Sequence, residues 1–123
     1  MNPENKTFLT SIVNKSTVSV ASHNGIVMYH MDLPDGRPLC ISAEYTKLDK
    51  QAYSIYYSVI LDDEILEETE IDTKTKKLNP VATDIIDLMR MCNTKVLLQE
   101  AHLMNSKFMI HEVRDQKNQK LHS

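Results

Sequence analysis

The sequence predicts an α+β fold, in which an antiparallel meander of about five strands follows one N-terminal helix and precedes one or two C-terminal helices. Alternating apolar and polar residues recur in short segments between turns through the middle of the chain, which is typical of antiparallel strands. An Asn followed by Pro, a common helix start, occurs before these segments at Asn2-Pro3 and after them at Asn79-Pro80. Because 123 residues fit one domain, we expect residues 1–123 to form a single α+β unit.

The first helix is predicted over about Pro3 to Asn14 and is expected to pack on the sheet. Asn2 can cap it, Pro3 suits its first position, and Glu4 places a negative charge in its first turn. Apolar residues then recur at helical spacing, at Phe8, Leu9, Ile12 and Val13.

The most specific turn signal is the segment Leu33-Pro34-Asp35-Gly36-Arg37, which follows strands predicted over residues 17–20 and 26–33. Pro, Asp and Gly in this order predict a type I turn with a bulge at Gly36, which closes a hairpin and pairs Leu33 with Arg37. This register places apolar residues opposite one another on one face: Met31 with Leu39, Tyr29 with Ile41, and Val27 with Ala43. The second face then holds three further pairs: His30 with Cys40, Met28 with Ser42, and Ile26 with Glu44.

The next two strands are predicted over Ala52–Leu61 and Glu64–Asp72, joined by a turn at Asp62-Asp63. Strict alternation in the second of them puts Ile65, Glu67, Thr69 and Ile71 on one side. It puts Leu66, Glu68 and Glu70 on the other. So many acidic residues favour an edge position, because charged side chains block unwanted strand pairing.

A helix is predicted from Pro80 to about Cys92, with an apolar face formed by Val81, Ile85, Leu88, Met89 and Cys92. Residues 96–113 contain two solid apolar runs, which allow either a continued helix or a hairpin that turns at Asn105-Ser106. Good helix formers between the runs favour the helix. The polar tail over residues 115–123 is expected to fray.

Composition excludes several classes of function. A net charge of −3, from 14 basic and 17 acidic residues, argues against direct nucleic-acid binding. Gly25 and Gly36 cannot supply a Gly-rich phosphate loop, and Cys40 and Cys92 match no zinc spacing, so we expect no cofactor and no metal. The N-terminus lacks the apolar region of a signal peptide, and no apolar run is long enough to span a bilayer. We therefore expect a cytoplasmic protein without membrane contact.

The densest charge lies in an acidic block that consists of Asp62, Asp63, Glu64, Glu67, Glu68, Glu70 and Asp72. Carboxylates so close together attract a cationic partner. The block therefore predicts a binding site for a protein with a basic surface. The alternative is a solvated edge strand that serves only to prevent aggregation.

The second face of the predicted sheet is the other candidate surface. Its members by register are Ile26, Met28, His30, Cys40, Tyr56 and Ile60. A face this apolar rarely lies bare in water, so it is covered either by the last thirty residues of the chain or by a second subunit. We predict a homodimer, with a self-association face formed by Ile26, Met28, His30, Tyr56 and Ile60.

These patterns predict a small non-enzymatic interaction protein, which inhibits or regulates a macromolecular partner through the acidic edge strand and the apolar face. Short, acidic, Gly-poor chains without a catalytic motif are typical of immunity proteins and of phage inhibitors of host defence. One alternative is an oligomeric protein that binds a small ligand or nucleotide, in a pocket between the sheet and the last helix lined by Tyr29, Tyr53 and Tyr57. The other is a small hydrolase that uses Cys40 and His30.

Overall fold

The computed structural model describes residues 1–75 and 77–121, with side chains described as far as residue 106, and its α+β architecture confirms the predicted fold class. The elements, in chain order, are α1 (Pro3–Lys15), β1 (Ser19–His23), β2 (Ile26–Asp32), β3 (Pro38–Lys47), β4 (Tyr53–Leu61), β5 (Glu64–Asp72) and α2 (Pro80–Leu121).

The five strands form one antiparallel sheet in the order β1-β2-β3-β4-β5, so that β5 lies at one edge, as its charge predicted. The predicted register of the β2–β3 hairpin is confirmed, with Tyr29 opposite Ile41. β1 begins later than predicted, at Ser19. The physical reason lies at Val18, whose backbone N–H and carbonyl are both hydrogen-bonded to the side chain of Gln99 instead of to a strand.

Local turn chemistry explains the hairpins. The Leu33 N–H donates to the carbonyl of Arg37 at 2.9 Å, the Gly36 N–H donates to the carbonyl of Leu33 at 2.9 Å, and Gly36 has a φ of 90°. This is the predicted turn with its bulge. The turns at Asn24-Gly25 and Asp62-Asp63 place both of their residues at positive φ, which matches the twist that a two-residue hairpin requires.

Both predicted helix caps are confirmed. The side-chain oxygen of Asn2 accepts from the N–H of Asn5 at 2.7 Å, and that of Asn79 accepts from the N–H of Ala82 at 2.8 Å. The two helices pack on the same face of the sheet. Their buried residues join those of the strands in one core, to which α1 contributes Leu9, Ile12 and Val13, and α2 contributes Ala82, Ile85, Leu88, Cys92 and Val96.

The last element is one long helix, so the hairpin alternative at Asn105-Ser106 is excluded. Gln99 holds this helix to Val18, and the ammonium group of Lys95 donates to the carbonyl of Val13 at 3.0 Å. Every residue from 100 to 106 is exposed, so the helix projects beyond the sheet. Helix continues through Leu121. Residues 122–123 and the side chains of the tail lie outside the described part of the chain, and the predicted fraying stays a prediction.

The length of α2 does not make it a membrane span. Among the described residues, no helix combines the length and the apolar composition that crossing a bilayer requires.

Candidate functional site

A β-bulge in β5 decides which residues share the open face, defined here as the face of the sheet opposite the two helices. The pairing of β4 with β5 shifts so that Val59 lies opposite Glu67, whereas Ile60 lies opposite Ile65. The extra residue, Leu66, packs against the core. The prediction that Ile65 shares a side with Glu67, and Leu66 the opposite side, is therefore wrong, because a bulge inserts one residue without a partner and reverses the alternation.

The open face is acidic near its β5 edge. Glu44, Tyr56 and Glu70 lie side by side on β3, β4 and β5. Glu68 and Asp72 flank Glu70 along β5, on the same face by the alternation of the strand. No Lys or Arg occurs among the strand positions of this face, all of which are described. A single sign of charge therefore dominates this part of the sheet.

Hydrogen bonds across the strands hold these carboxylates in place. The hydroxyl of Tyr56 donates to Glu68, and that of Ser54 donates to Glu70. The bond to the Glu68 carboxylate raises the pKa of the Tyr56 hydroxyl, so Tyr56 remains a neutral donor well above neutral pH. Each bond uses one carboxylate oxygen, which leaves the other oxygen able to accept from a partner.

The acidic residues predicted as one block separate into three places. Asp62 and Asp63 form the β4–β5 turn, and the exposed Glu64 lies beside it. Glu67 lies on the helix face, where its carboxylate accepts from the side-chain amide of Asn5 at 3.5 Å. Glu68, Glu70 and Asp72 lie on the open face.

The residues predicted to form a self-association face do share the open face, in the predicted register: Ile26, Met28, His30, Tyr56 and Ile60. His30 is exposed and the other four are half-buried. Among the described side chains, those of α1 and α2 that reach the core do so from the opposite face. Two further members of this surface, Glu44 and Ile65, were not among the predicted site residues. The hairpin register indicated the position of Glu44, but nothing in the sequence indicated the bulge that moves Ile65.

His30 and Cys40 lie opposite each other, as the register predicted. Burial raises the pKa of the Cys40 thiol, and His30 is not among the causes of that shift. A nucleophilic cysteine requires a lowered pKa, because the thiolate is the reactive form. The environment of Cys40 therefore opposes the chemistry that a Cys/His hydrolase needs.

A hollow of about 320 Å³ lies between the helix face of the sheet and α2. We call it the tyrosine hollow, and its lining consists of Tyr29, Ala43, Tyr45 and Tyr57 from the sheet with Ile86, Met89, Arg90 and Asn93 from α2. Sequence analysis predicted that Tyr53 lines a pocket at this place, and that assignment is wrong. Tyr53 begins β4, is exposed and does not line the hollow, whereas Tyr45 on β3 does.

Within the described residues, no three His, Cys, Asp or Glu side chains lie close enough together to hold a metal ion. Comparison of the chain with protein-family models, curated proteins and solved structures finds no match.

Proposed function

We propose that this chain is a non-enzymatic interaction protein, which binds a macromolecular partner with a basic surface through the open face and the edge strand β5, and thereby inhibits or regulates that partner. The observation that carries the proposal is the charge of the open face. Glu44, Glu68 and Glu70 lie on it together, with no Lys or Arg among its strand positions. Such a surface complements a basic patch and excludes acidic ones.

An apolar corner beside these acids supports the same proposal. Ile60 and Ile65 lie opposite each other on β4 and β5, and 51% of Ile65 is exposed. Tyr56 lies opposite Glu70, and Ser58 separates it from Ile60 along β4. Protein interfaces commonly combine an apolar centre with a polar rim and are enriched in Tyr. The apolar corner would supply burial, while the carboxylates would supply orientation and specificity.

The edge strand offers a further mode of contact. β5 pairs with β4 on one side only, so its outer backbone groups are available to another strand. A partner strand that carries Lys or Arg could extend the sheet there, with its basic side chains beside Glu68 and Glu70. A strand without basic residues would meet uncompensated carboxylates.

A homodimer through the open face is the second candidate, and the half-buried Ile26, Met28 and Ile60 favour it. A second copy would also bring the same carboxylates to the interface. Like charges close to each other oppose association. Charge therefore favours a basic partner over a second copy.

The test is affinity capture from extracts of the source cells, at low salt, with quantification of the retained proteins by mass spectrometry. The wild-type chain is compared with a double variant, Glu68→Lys with Glu70→Lys. The matched control is Glu4→Lys with Glu100→Lys, which makes the same change of charge at exposed positions outside the sheet. We expect the wild type and the control to retain the same basic protein, and the open-face variant to lose it.

A partner retained equally by all three chains would contradict the proposal. Sedimentation of the wild-type chain alone separates the second candidate, because a homodimer would sediment at twice the chain mass without any partner. The regulatory part is tested by adding the chain to the captured partner and measuring the activity of that partner.

A further inference from the structure

On the sheet side, the tyrosine hollow is lined by three tyrosines around one small residue. Ala43 is buried and lies directly opposite Tyr57 on β4. Tyr45 is the next residue of β3 on the same face, and Tyr29 is a diagonal neighbour on β2. Ala43 itself is covered, and Tyr45 is the most exposed of the three tyrosines. The sheet therefore supplies an aromatic surface formed mainly by Tyr45 and by the accessible edges of Tyr29 and Tyr57.

The phenol hydroxyls of this hollow are open to ligand. Tyr29 and Tyr57 are only 7% and 6% exposed. No fully buried polar side-chain atom among the described residues lacks a hydrogen-bond partner. Among the described side chains, Tyr56 is the tyrosine whose hydroxyl forms a hydrogen bond within the protein. The hydroxyls of Tyr29 and Tyr57, two residues that line the hollow, are therefore accessible from outside the protein. Burial raises the pKa of both, so they are neutral donors at physiological pH.

The helix completes the hollow with one apolar and one polar side. Four residues of α2 line the hollow, and their spacing of three or four places them on one face of the helix: Ile86, Met89, Arg90 and Asn93. Arg90 is the cation of the lining, and its contact with Asp87 is long, at 4.0 Å between Nη1 and Oδ1. Its guanidinium group can therefore turn toward an anion in the hollow without breaking a close ion pair.

We propose that the tyrosine hollow binds a small aromatic carboxylate. The ring would lie against Tyr45, beside the accessible edges of Tyr29 and Tyr57, and the carboxylate would accept from the phenol hydroxyls and from Arg90. Neutral phenols and a guanidinium group are donors, which favours an oxyanion over a cation. A volume of about 320 Å³ is at the lower end of ligand sites, so a single ring fits better than a nucleotide. The hollow lies on the helix face, and its ligand is independent of the partner proposed for the open face.

The probe for this proposal is phenylacetate, and phenylacetamide is its uncharged counterpart. The full chain is labelled with ¹³C at its tyrosine rings and titrated, and the ring resonances are followed by NMR. We expect phenylacetate to shift the resonances of Tyr29, Tyr45 and Tyr57, and to leave those of Tyr53 in place. Loss of the charged hydrogen bond should weaken the binding of phenylacetamide by about tenfold.

Two variants and two matched controls locate the site. Arg90→Gln and Tyr45→Phe should each weaken phenylacetate binding by about tenfold, as expected for the loss of one hydrogen bond to a carboxylate. The controls, Arg37→Gln and Tyr53→Phe, change the same residue types outside the hollow and should leave the affinity unchanged. Unchanged resonances of the three lining tyrosines at about 10 mM phenylacetate, where even a millimolar site would be occupied, would overturn the proposal. Equal affinities of Arg90→Gln and Arg37→Gln would overturn it as well.

Discussion

The hydrogen-bonded pair between Gln99 and Val18 joins the end of the packed part of α2 to the start of β1. The side-chain oxygen of Gln99 accepts from the Val18 N–H at 2.9 Å, and its amide donates to the Val18 carbonyl at 2.7 Å. Val18 is 2% exposed, so water cannot readily replace Gln99. Substitution of Gln99 by Met keeps the length and the helix propensity of the side chain, and removes both hydrogen bonds.

The expected loss follows from these two bonds. An unpaired buried donor or acceptor costs about 1–3 kcal/mol, and Gln99→Met leaves one of each. Gln99 itself is half-buried, and the Met side chain regains some apolar contact. We therefore expect the free energy of unfolding to fall by about 2 kcal/mol, near the lower limit of that sum. With a urea m-value of about 1–3 kcal/mol per M, the unfolding midpoint should fall by about 1 M.

The assay is urea unfolding followed by circular dichroism, with Leu98→Met as the matched control. Leu98 adjoins Gln99 in α2 and is 65% exposed, so its substitution should change stability by less than about 0.5 kcal/mol. Gln99→Glu provides a second test. Its carboxylate can accept from the Val18 N–H but repels the Val18 carbonyl, so its deficit should shrink as the pH falls and the carboxyl gains a proton that it can donate.

Equal midpoints for Gln99→Met and Leu98→Met would refute the reasoning, because the pair would then contribute nothing to folding. A deficit in Gln99→Glu that is independent of pH would show that the Val18 carbonyl does not sense the added charge.

The remaining predictions concern the core, a turn and a thiol. Leu88→Ala, at a fully buried position, should lower the free energy of unfolding by about 3 kcal/mol in urea titrations, while Leu98→Ala should leave it nearly unchanged. Replacing Asp62-Asp63 by Asn-Gly should raise the free energy of unfolding by about 0.5–1 kcal/mol, because both positions have positive φ. Gly36→Ala should lower the free energy of unfolding, because Gly36 has a φ of 90°. Burial raises the pKa of the Cys92 thiol from 9.0 to about 11, so the unfolded chain ionises first and stability should fall by about 2–3 kcal/mol between those pH values. The raised pKa values of Tyr29 and Tyr57 add a decline that both variants share. The fall should therefore be shallower in Cys92→Ala than in Cys40→Ala, and equal slopes in the two variants would contradict the prediction.

Sequence analysis predicted most of the fold because its strongest signals are local. The order of Pro34, Asp35 and Gly36 determines one turn geometry, and that geometry fixes the register of β2 against β3. The caps at Asn2 and Asn79 likewise depend only on residues within one helical turn. The hairpin and the starts of both helices were predicted close to their observed positions, whereas α2 continues to Leu121, far beyond the end predicted at about Cys92.

The position of β1 was predicted less well because it depends on a contact between distant parts of the chain. Thr17 and Val18 have strand propensity, but Gln99 takes the hydrogen bonds that a neighbouring strand would need. Nothing near Val18 in the sequence indicates this competition. The same limit applies to the tyrosine hollow, where the choice between Tyr45 and Tyr53 depends on where along β3 and β4 the helix α2 packs.

The bulge in β5 shows how one such long-range choice changes the candidate interface. Without it, strict alternation would place Glu64, Leu66, Glu68 and Glu70 along the open face. The bulge instead packs Leu66 against the core, pairs Glu64 with Leu61 and brings Ile65 beside Ile60. Leu66 is half-buried, so its burial is worth about 1 kcal/mol, roughly half of the value for a fully buried leucine, and this offsets the loss of regular pairing at one residue. The bulge therefore divides the proposed interface into an apolar part and an acidic part, because the apolar corner adjoins the carboxylates of Glu68 and Glu70 instead of alternating with them. A partner can then bury its own apolar residues at this corner without desolvating the carboxylates that would bind its basic side chains.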